Sequence, residues 1–286
     1  MVSSFILGQT ALADGKKSAK SLISHIRKEN GPEHHEAVYL IINTKIYLTR
    51  IKDYTPRIIP LTKGLDKLES KSILLITKDP SLPYRDALTR KDSPTEDVFN
   101  QIYTLTKLKH ISKDPKKLSK LFKEFDIIVA DNRVHKFLPD ILGARFYVKN
   151  KKIPFMVQMA KPDKDAKLSK GKKSTKLKDD RCEPEYVRYQ MKSIVRNTSY
   201  IPSATGTCIS VKLGYSDWKP EELLTNCNDV IKYLVEPKFL PVGGLLRTTK
   251  NLVSVHIKTS ESISLPIFKQ REDVKDDDEY DSELDF

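Results

Sequence analysis

No stretch of this 286-residue chain approaches the roughly 18 consecutive apolar residues that a membrane-spanning helix needs. The opening segment MVSSFILGQTALADGKK lacks the basic stretch that precedes the apolar core of a secretory signal. Cysteine is scarce and odd in number, and Cys182, Cys208 and Cys227 stand at spacings that fit neither a disulfide framework nor a zinc site. A soluble protein of a reducing, intracellular compartment is the expectation, with no membrane partner. Glycine-rich phosphate loops are also missing: neither G-x-G-x-x-G nor G-x-x-x-x-G-K-S/T occurs, which weakens any nucleotide-dependent enzyme reading. His34-His35 has no second ligand pair at useful spacing, so no metal and no cofactor is expected.

What the chain has in excess is positive charge. Fifty-one Lys and Arg oppose 38 Asp and Glu, a net +13. The distribution is uneven. Residues 269–286, KQREDVKDDDEYDSELDF, hold nine acids and three bases, a net of −6, which leaves 48 bases and 29 acids, or +19, in residues 1–268. So acidic and apolar-poor a tail cannot bury enough surface to offset its ordering entropy, and disorder is expected. It reads as a solvating tail, an intramolecular competitor or a docking tail for a basic partner. Residues 161–180, KPDKDAKLSKGKKSTKLKDD, carry eight lysines and four aspartates. They read as a flexible insertion, serving either as a solvated linker or as a phosphate-contacting arm or nuclear import signal.

Length suggests about two domains. Residues 14–30 place Leu22, Ile23 and Ile26 on one side of an amphipathic helix that Gly31-Pro32 ends, and 37–50 and PRIIPL read as strands. SILLIT (72–77) and DIIVAD (126–131) are apolar runs expected of strands covered on both faces. Between them Ser93-Pro94-Thr95-Glu96 has the form of a capping box, predicting a helix through Val98, Phe99, Ile102 and Leu105. A helix through Leu118, Leu121 and Phe122 follows, then one from Val134 to Leu142 with Gly143 as a left-handed cap, then the strand PFMVQM. After the lysine-rich segment come a helix (EPEYVRYQMKSIVRN), a strand (GTCISVKLGY), a helix (PEELLTNCNDVIKYLVE) and a long alternating strand over 252–268. Trp218, ahead of Lys219-Pro220, suits a hydrophobic staple. The economical architecture is mixed α/β and α+β: a discontinuous α+β domain from 1–68 and 181–268 with a doubly wound, Rossmann-like α/β domain inserted at 69–160.

The acids of DIIVAD, Asp126 and Asp131, with the nearby His135, admit a phosphate-handling enzyme as a rival reading, although such residues more often cap helices or line loops. The charge points instead to nucleic acid: Lys45, Arg50, Lys52 and Arg57 come from the first half of the split domain and Lys212, Arg247, Lys250 and Lys258 from the second. Tyr39, Tyr47 and His256 either stack on bases or fill the core, depending on which way they face.

Several segments carry a resemblance to a known family. FDIIVADNRVHKFLPDILGARFYVKNKKIPFMV, with its aspartate-ended strand, helix, L-G-x-x-F/Y turn and basic loop with proline, resembles the second domain of the ribosomal protein L-one family, the stalk protein of the large subunit. HHEAVYLIIN is similar to the family's first-domain strand, GTCISVKLGYSDWKPEELLTNCNDVIKYL to its strand, turn and asparagine-bearing helix (Asn226 here), and LRTTKNLVSVHIKTSESISLPI to its closing strand. The likeness covers about residues 14–268. It implies RNA binding through the first domain, with contacts at His34, Ala37 and Tyr39 and, in the closing loop, at Lys258, Thr259, Ser260, Glu261 and Ser262.

The chain departs from the stalk pattern where T-M-G-P is replaced by Ser260-Glu261-Ser262-Ile263 and where Tyr39 stands for the second glutamate of E-S/T-V-E. With the tail and insertion, these departures resemble the nucleolar branch of the family, and most of all the fungal member associated with the small-subunit processome. The resemblance implies a non-catalytic factor in ribosome biogenesis and rRNA processing, located in nucleus and nucleolus. Its partners would be precursor ribosomal RNA and pre-ribosomal assembly proteins, with the protein a monomer within a large ribonucleoprotein. A large-subunit precursor factor or a ribosomal stalk protein is the alternative.

Overall fold

A computed structural model describes residues 5–31, 34–51, 53–149, 152–163, 169–170 and 177–270. The elements run α1 (Gly8–Asn30), β1 (Ala37–Thr44), β2 (Arg57–Ile59), β3 (Ile73–Thr77), α2 (Leu82–Leu88), β4 (Gln101–Thr104), α3 (Leu105–Ser112) and α4 (Pro115–Glu124). They continue through β5 (Ile127–Asp131), α5 (Asn132–His135), α6 (Leu138–Ala144), β6 (Phe155–Val157), β7 (Ser169–Lys170), β8 (Leu177–Lys178) and α7 (Pro184–Arg196). The chain closes with β9 (Thr198–Tyr200), β10 (Cys208–Tyr215), α8 (Pro220–Val235), β11 (Leu252–Lys258) and β12 (Leu265–Lys269). Among the described residues no helix is long and apolar enough to cross a membrane.

Both ends of the chain build one antiparallel sheet in the order β10-β1-β11-β12. β1 alternates strictly: Val38, Leu40, Ile42 and Thr44 are buried, whereas Ala37, Tyr39, Ile41 and Asn43 are half-buried. The buried side packs with Ile209, Val211 and Leu213 of β10 and Val255 and Ile257 of β11 against α1 and α8. Burying each such aliphatic side chain is worth about 1.5 to 3 kcal/mol, which fixes the register, since a one-residue slip would turn the set to solvent. α1 and α8 approach closely at Gly15, where a Cβ would stand 2.8 Å from Leu224 Cδ2. Trp218 and Leu223, the N′ and N4 residues of α8, converge on Gly214, where a Cβ would meet them at 2.5 and 2.9 Å, as a hydrophobic staple requires.

The middle of the chain forms a parallel sheet in the order β4-β3-β5-β6. All five residues of β3 are buried. Ile73 and Leu75 face a core shared with α2 and α7, and Leu74 and Ile76 face one shared with α3, α4 and α6. Helices on both faces explain the unbroken apolar run. Where the chain passes between the two sheets, β2 and β9 pair antiparallel, Arg57 opposite Tyr200.

Several expectations need correction. Residues 93–100 are turns, and 101–104 form β4. The Glu96 carboxylate accepts from the Asp92 N–H rather than closing a box with Ser93, and the buried Thr95 hydroxyl donates to Leu88 O at 2.7 Å. The capping signature is real local hydrogen bonding without a helix behind it, and Ile102 gains more by pairing with Leu75 in the sheet. Gly143 does break a helix, but at φ 61° and ψ −162°, a conformation open essentially to glycine alone and not the left-handed cap. β1 stops at Thr44, whose hydroxyl is within hydrogen-bond distance of Ile46 O and Thr207 O. The long closing strand is two, β11 and β12, folded back on each other.

α7 was grouped by sequence with the antiparallel half, yet Val187, Met191, Ile194 and Val195 are buried against the parallel sheet. An apolar stripe announces a helix without saying which sheet it covers. Lys269 ends β12 and the Gln270 N–H donates to Val253 O at 2.8 Å, so the sheet extends into the segment read as tail. The rest of that tail, 271–286, lies outside the described residues. So does most of the lysine-rich segment, of which β7 and β8 are described as an antiparallel pair.

Candidate nucleic-acid interface

With α1 and α8 on one side of the antiparallel sheet, its other face is left half-exposed. Register lays three rows across it: Lys212, Tyr39 and Lys258; then Ser210, Ile41, His256 and Pro266; then Cys208, Asn43, Ser254 and Lys269. Asn43 Nδ2 donates to Ser254 Oγ at 2.9 Å, tying β1 to β11.

Ten of the residues expected to contact RNA fall into two groups at opposite ends of β1. His34, Ala37, Tyr39, Lys258, Thr259, Ser260 and Ser262 meet where β1 begins and β11 ends. Lys45, Arg247 and Lys250 meet at the other end, where the Lys45 N–H donates to Asn251 O at 2.8 Å. Six residues of extended chain put the two groups roughly 20 Å apart. Arg247 sits at φ 61°, a bend that leaves its side chain exposed.

The roles within the first group differ. Thr259 is 2% exposed and holds the turn together with Ser262: the Thr259 N–H donates to Ser262 Oγ at 2.9 Å, and the Ser262 N–H to Thr259 Oγ1 at 3.2 Å. These hydroxyls shape the loop and are not free for a ligand. Ser260 is exposed, and its N–H donates to Glu36 Oε1 at 3.3 Å, pinning the closing loop to the residue before β1. Ala37 contributes backbone geometry only. Tyr39 is half-exposed on the open face and Tyr47 is 61% exposed, so both point outward as stacking would need. Burial and nearby Lys269 hold the His256 pKa below its ordinary value.

Not every base supplies a free cation. Lys212 donates to the Tyr215 hydroxyl at 2.7 Å, and that hydroxyl donates to Asp66 at 2.7 Å, with Lys71 Nζ a further 3.2 Å from Asp66. Burial pushes the Lys212 pKa down against the pull of Asp66, and burial together with the Asp66 carboxylate pushes the Tyr215 pKa up. Arg57 is committed to the Pro241 and Val242 carbonyls and to Asp53. Lys52 lies outside the described residues. Lys45, Arg247, Lys250, Lys258 and Lys269 make no ion pair among the described residues. Sequence reasoning missed His35, which stacks on Tyr215 with ring centroids 3.9 Å apart, and missed Glu36, Asn43 and Lys269. The alternation of β1 carried a signal for Asn43; the cross-strand partners did not follow from any local pattern.

The rival constellation at the ends of the parallel strands is closed by its own side chains. Asp131 is fully buried and paired with Arg133, whose Nε lies 2.9 and 3.0 Å from the two carboxylate oxygens and whose terminal nitrogen makes a further short contact. Burial pulls the Arg133 pKa down, but the hydrogen bonds and charge of Asp131 outweigh it and hold it above its ordinary value. Arg133 Nη1 also donates to Asp179 O at 2.6 Å, and Lys78 meets Asp180 at 3.1 Å, so residues 179–180 lie across the strand ends. The buried His135 Nε2 is 3.0 Å from Pro154 O. Asp126 accepts from Ser72 at the far end of β5. Among the described residues no cluster of three or more His, Cys, Asp or Glu is placed to hold a metal ion.

The mixed α/β architecture, with one antiparallel and one parallel sheet, is consistent with the fold of the family the sequence resembles. Residues 16–263 match the Ribosomal protein L1p/L10e family. The chain belongs to this family. Among its relatives is the ribosome biogenesis protein UTP30 of Saccharomyces cerevisiae, 40% identical over 289 residues that take in 99% of this chain and all of the relative. A protein of Schizosaccharomyces pombe named as a candidate ribosome biogenesis protein is 27% identical over 88% of this chain and 61% of its own length. The Ribosomal L1 domain-containing protein 1 of Mus musculus is 24% identical over 70% of this chain and 38% of its own. The expected place in the ribosome-biogenesis branch of the L1 family agrees with these names, and the family's RNA-binding character agrees with the cationic face.

Proposed function

We propose that the protein is a non-catalytic assembly factor that binds precursor ribosomal RNA and acts on the small-subunit precursor in the nucleolus, as a monomer among pre-ribosomal proteins. The observation that carries this reading is the placement of unpaired Lys258, Lys45, Arg247 and Lys250 at both ends of an open sheet face bearing Tyr39. Phosphate binding needs accessible cations along a path, and outward aromatic rings add stacking. Full-length similarity to UTP30 supports the ribosome-biogenesis assignment. Arg133 occupies the Asp131 carboxylate, so this acid is not available as a base, which supports a non-catalytic reading. The parallel sheet with its helices, α7 included, is proposed to be an inserted unit of roughly residues 69–196, carried by the split antiparallel unit.

Mapping RNA crosslinks to the protein in cells tests the reading. Crosslinks are expected in precursor sequence of the small subunit, centred on peptides 34–47 and 247–262. Crosslinks confined to large-subunit precursor sequence would move the protein to the alternative branch, and absence of RNA crosslinks would defeat the proposal.

A further inference from the structure

The antiparallel sheet does not account for a second exposed concentration of positive charge among the described residues. Residues 105–124 hold seven lysines, Lys107, Lys109, Lys113, Lys116, Lys117, Lys120 and Lys123, against two acids, Asp114 and Glu124. They form the α3 and α4 pair, packed on the parallel sheet and apart from the interface described above. On α4, Lys116, Lys120 and Lys123 are spaced i, i+4, i+7 and lie exposed along one face with the half-buried Ser119 and, at its C-terminal end, the exposed Glu124, opposite the inward-facing Leu118, Leu121 and Phe122. The stripe spans about 10 Å of helix axis.

Helix stability does not explain this arrangement. Like charges at i, i+3 and i, i+4 repel. Lys116 and Lys117 lie in the first turn, at the positive end of the helix dipole, where a cation is disfavoured and an acid preferred. Asp114 offsets part of this by accepting from the Lys116 and Lys117 N–H groups and lying 3.8 Å from Lys117 Nζ. Lys116, Lys120 and Lys123 make no ion pair among the described residues. Neither α3 nor α4 exposes a large apolar side chain, and specific protein interfaces are anchored by aromatic or aliphatic residues and depleted of lysine. A phosphate backbone needs no such anchor.

We infer that the α3 and α4 lysine face is a second, sequence-independent RNA-backbone contact surface, centred on Lys116, Lys120 and Lys123. The inference rests on the RNA-binding reading above. Joining it to the sheet interface on one RNA would convert two modest contacts into one tight and strongly salt-dependent one.

The test uses the full chain with Lys116→Gln, Lys120→Gln and Lys123→Gln together, beside wild type and the Lys250→Glu/Lys258→Glu variant. Fluorescence anisotropy against a labelled transcript of small-subunit precursor RNA is read over a range of KCl concentrations. An unchanged thermal midpoint is expected, because all three side chains are exposed. The triple variant should bind more weakly and show a salt slope reduced by about 2 to 3, the counterions released by three phosphate contacts. Wild-type affinity and slope in the triple variant, with weakened binding in the Lys250/Lys258 variant, would overturn the inference and leave the proposed function standing. A wild-type protein that fails to bind the transcript would remove both. If RNA binding is unchanged but the triple variant loses nuclease-resistant association with pre-ribosomal proteins, the face docks protein and the RNA assignment is wrong.

Discussion

Replacing Arg133 by alanine is expected to destabilise the fold by about 3 to 5 kcal/mol, the cost of leaving a buried carboxylate without its partner. Asp131 is fully buried and Arg133 is its ion-pair partner through three guanidinium contacts. Arg133 also holds residues 179–180 over the strand ends through Asp179 O, so the variant loosens the chain just before α7 as well. The double variant Asp131→Ala/Arg133→Ala removes the stranded charge and should be more stable than Arg133→Ala alone, even though it also loses the Asp131 cap on the Arg133 N–H. Urea unfolding of the two variants checks both statements. A single-variant loss below about 1 kcal/mol, or a double variant less stable than the single, would contradict the pairing described.

Asn226→Ala is expected to cost about 3 kcal/mol, because it orphans three backbone groups at once. Asn226 is fully buried in α8; its Nδ2 donates to Lys63 O at 3.0 Å and Leu213 O at 2.8 Å, and its Oδ1 accepts from the Lys63 N–H at 3.1 Å. One side chain thus ties a helix to β10 and to the segment after β2. Asn226→Asp should be no better, since a carboxylate would face two carbonyl oxygens. For a chain of this size the loss corresponds to a thermal midpoint lower by roughly 6 to 12 °C, measurable by circular dichroism. A midpoint within about 2 °C of wild type would mean that water or another donor replaces the amide.

Much of this arrangement is legible in the chain. The alternation of AVYLIINT, the unbroken ILLIT and the periodic helices before and after them write their burial pattern directly into residue order. What escaped was non-local. Ser93-Pro94-Thr95-Glu96 makes capping-type bonds in a turn, and β4 forms next to it because β3 offers an unpaired edge. The covering of the parallel sheet by α7 depends on the chain doubling back through β9, which periodicity cannot encode. At the interface, the charge excess pointed to phosphate, and the structure separates cations without an ion pair among the described residues from committed ones. Lys212 and Arg57 look like Lys258 and Lys45 in sequence; Asp66 and the Pro241 and Val242 carbonyls make the difference. Thr259 and Ser262 sit in the expected loop but close it on itself.

The central claim is that RNA lies across the open antiparallel sheet and engages the cations at its two ends. Its most direct test is equilibrium binding of small-subunit precursor RNA to wild type and to Lys45→Glu/Lys258→Glu, one reversal at each end of β1, over a range of salt concentrations. Wild type should weaken steeply as salt rises, and the variant should bind more weakly with a slope smaller by about 2. A variant that matches wild type in both affinity and slope would place the RNA elsewhere and contradict the claim.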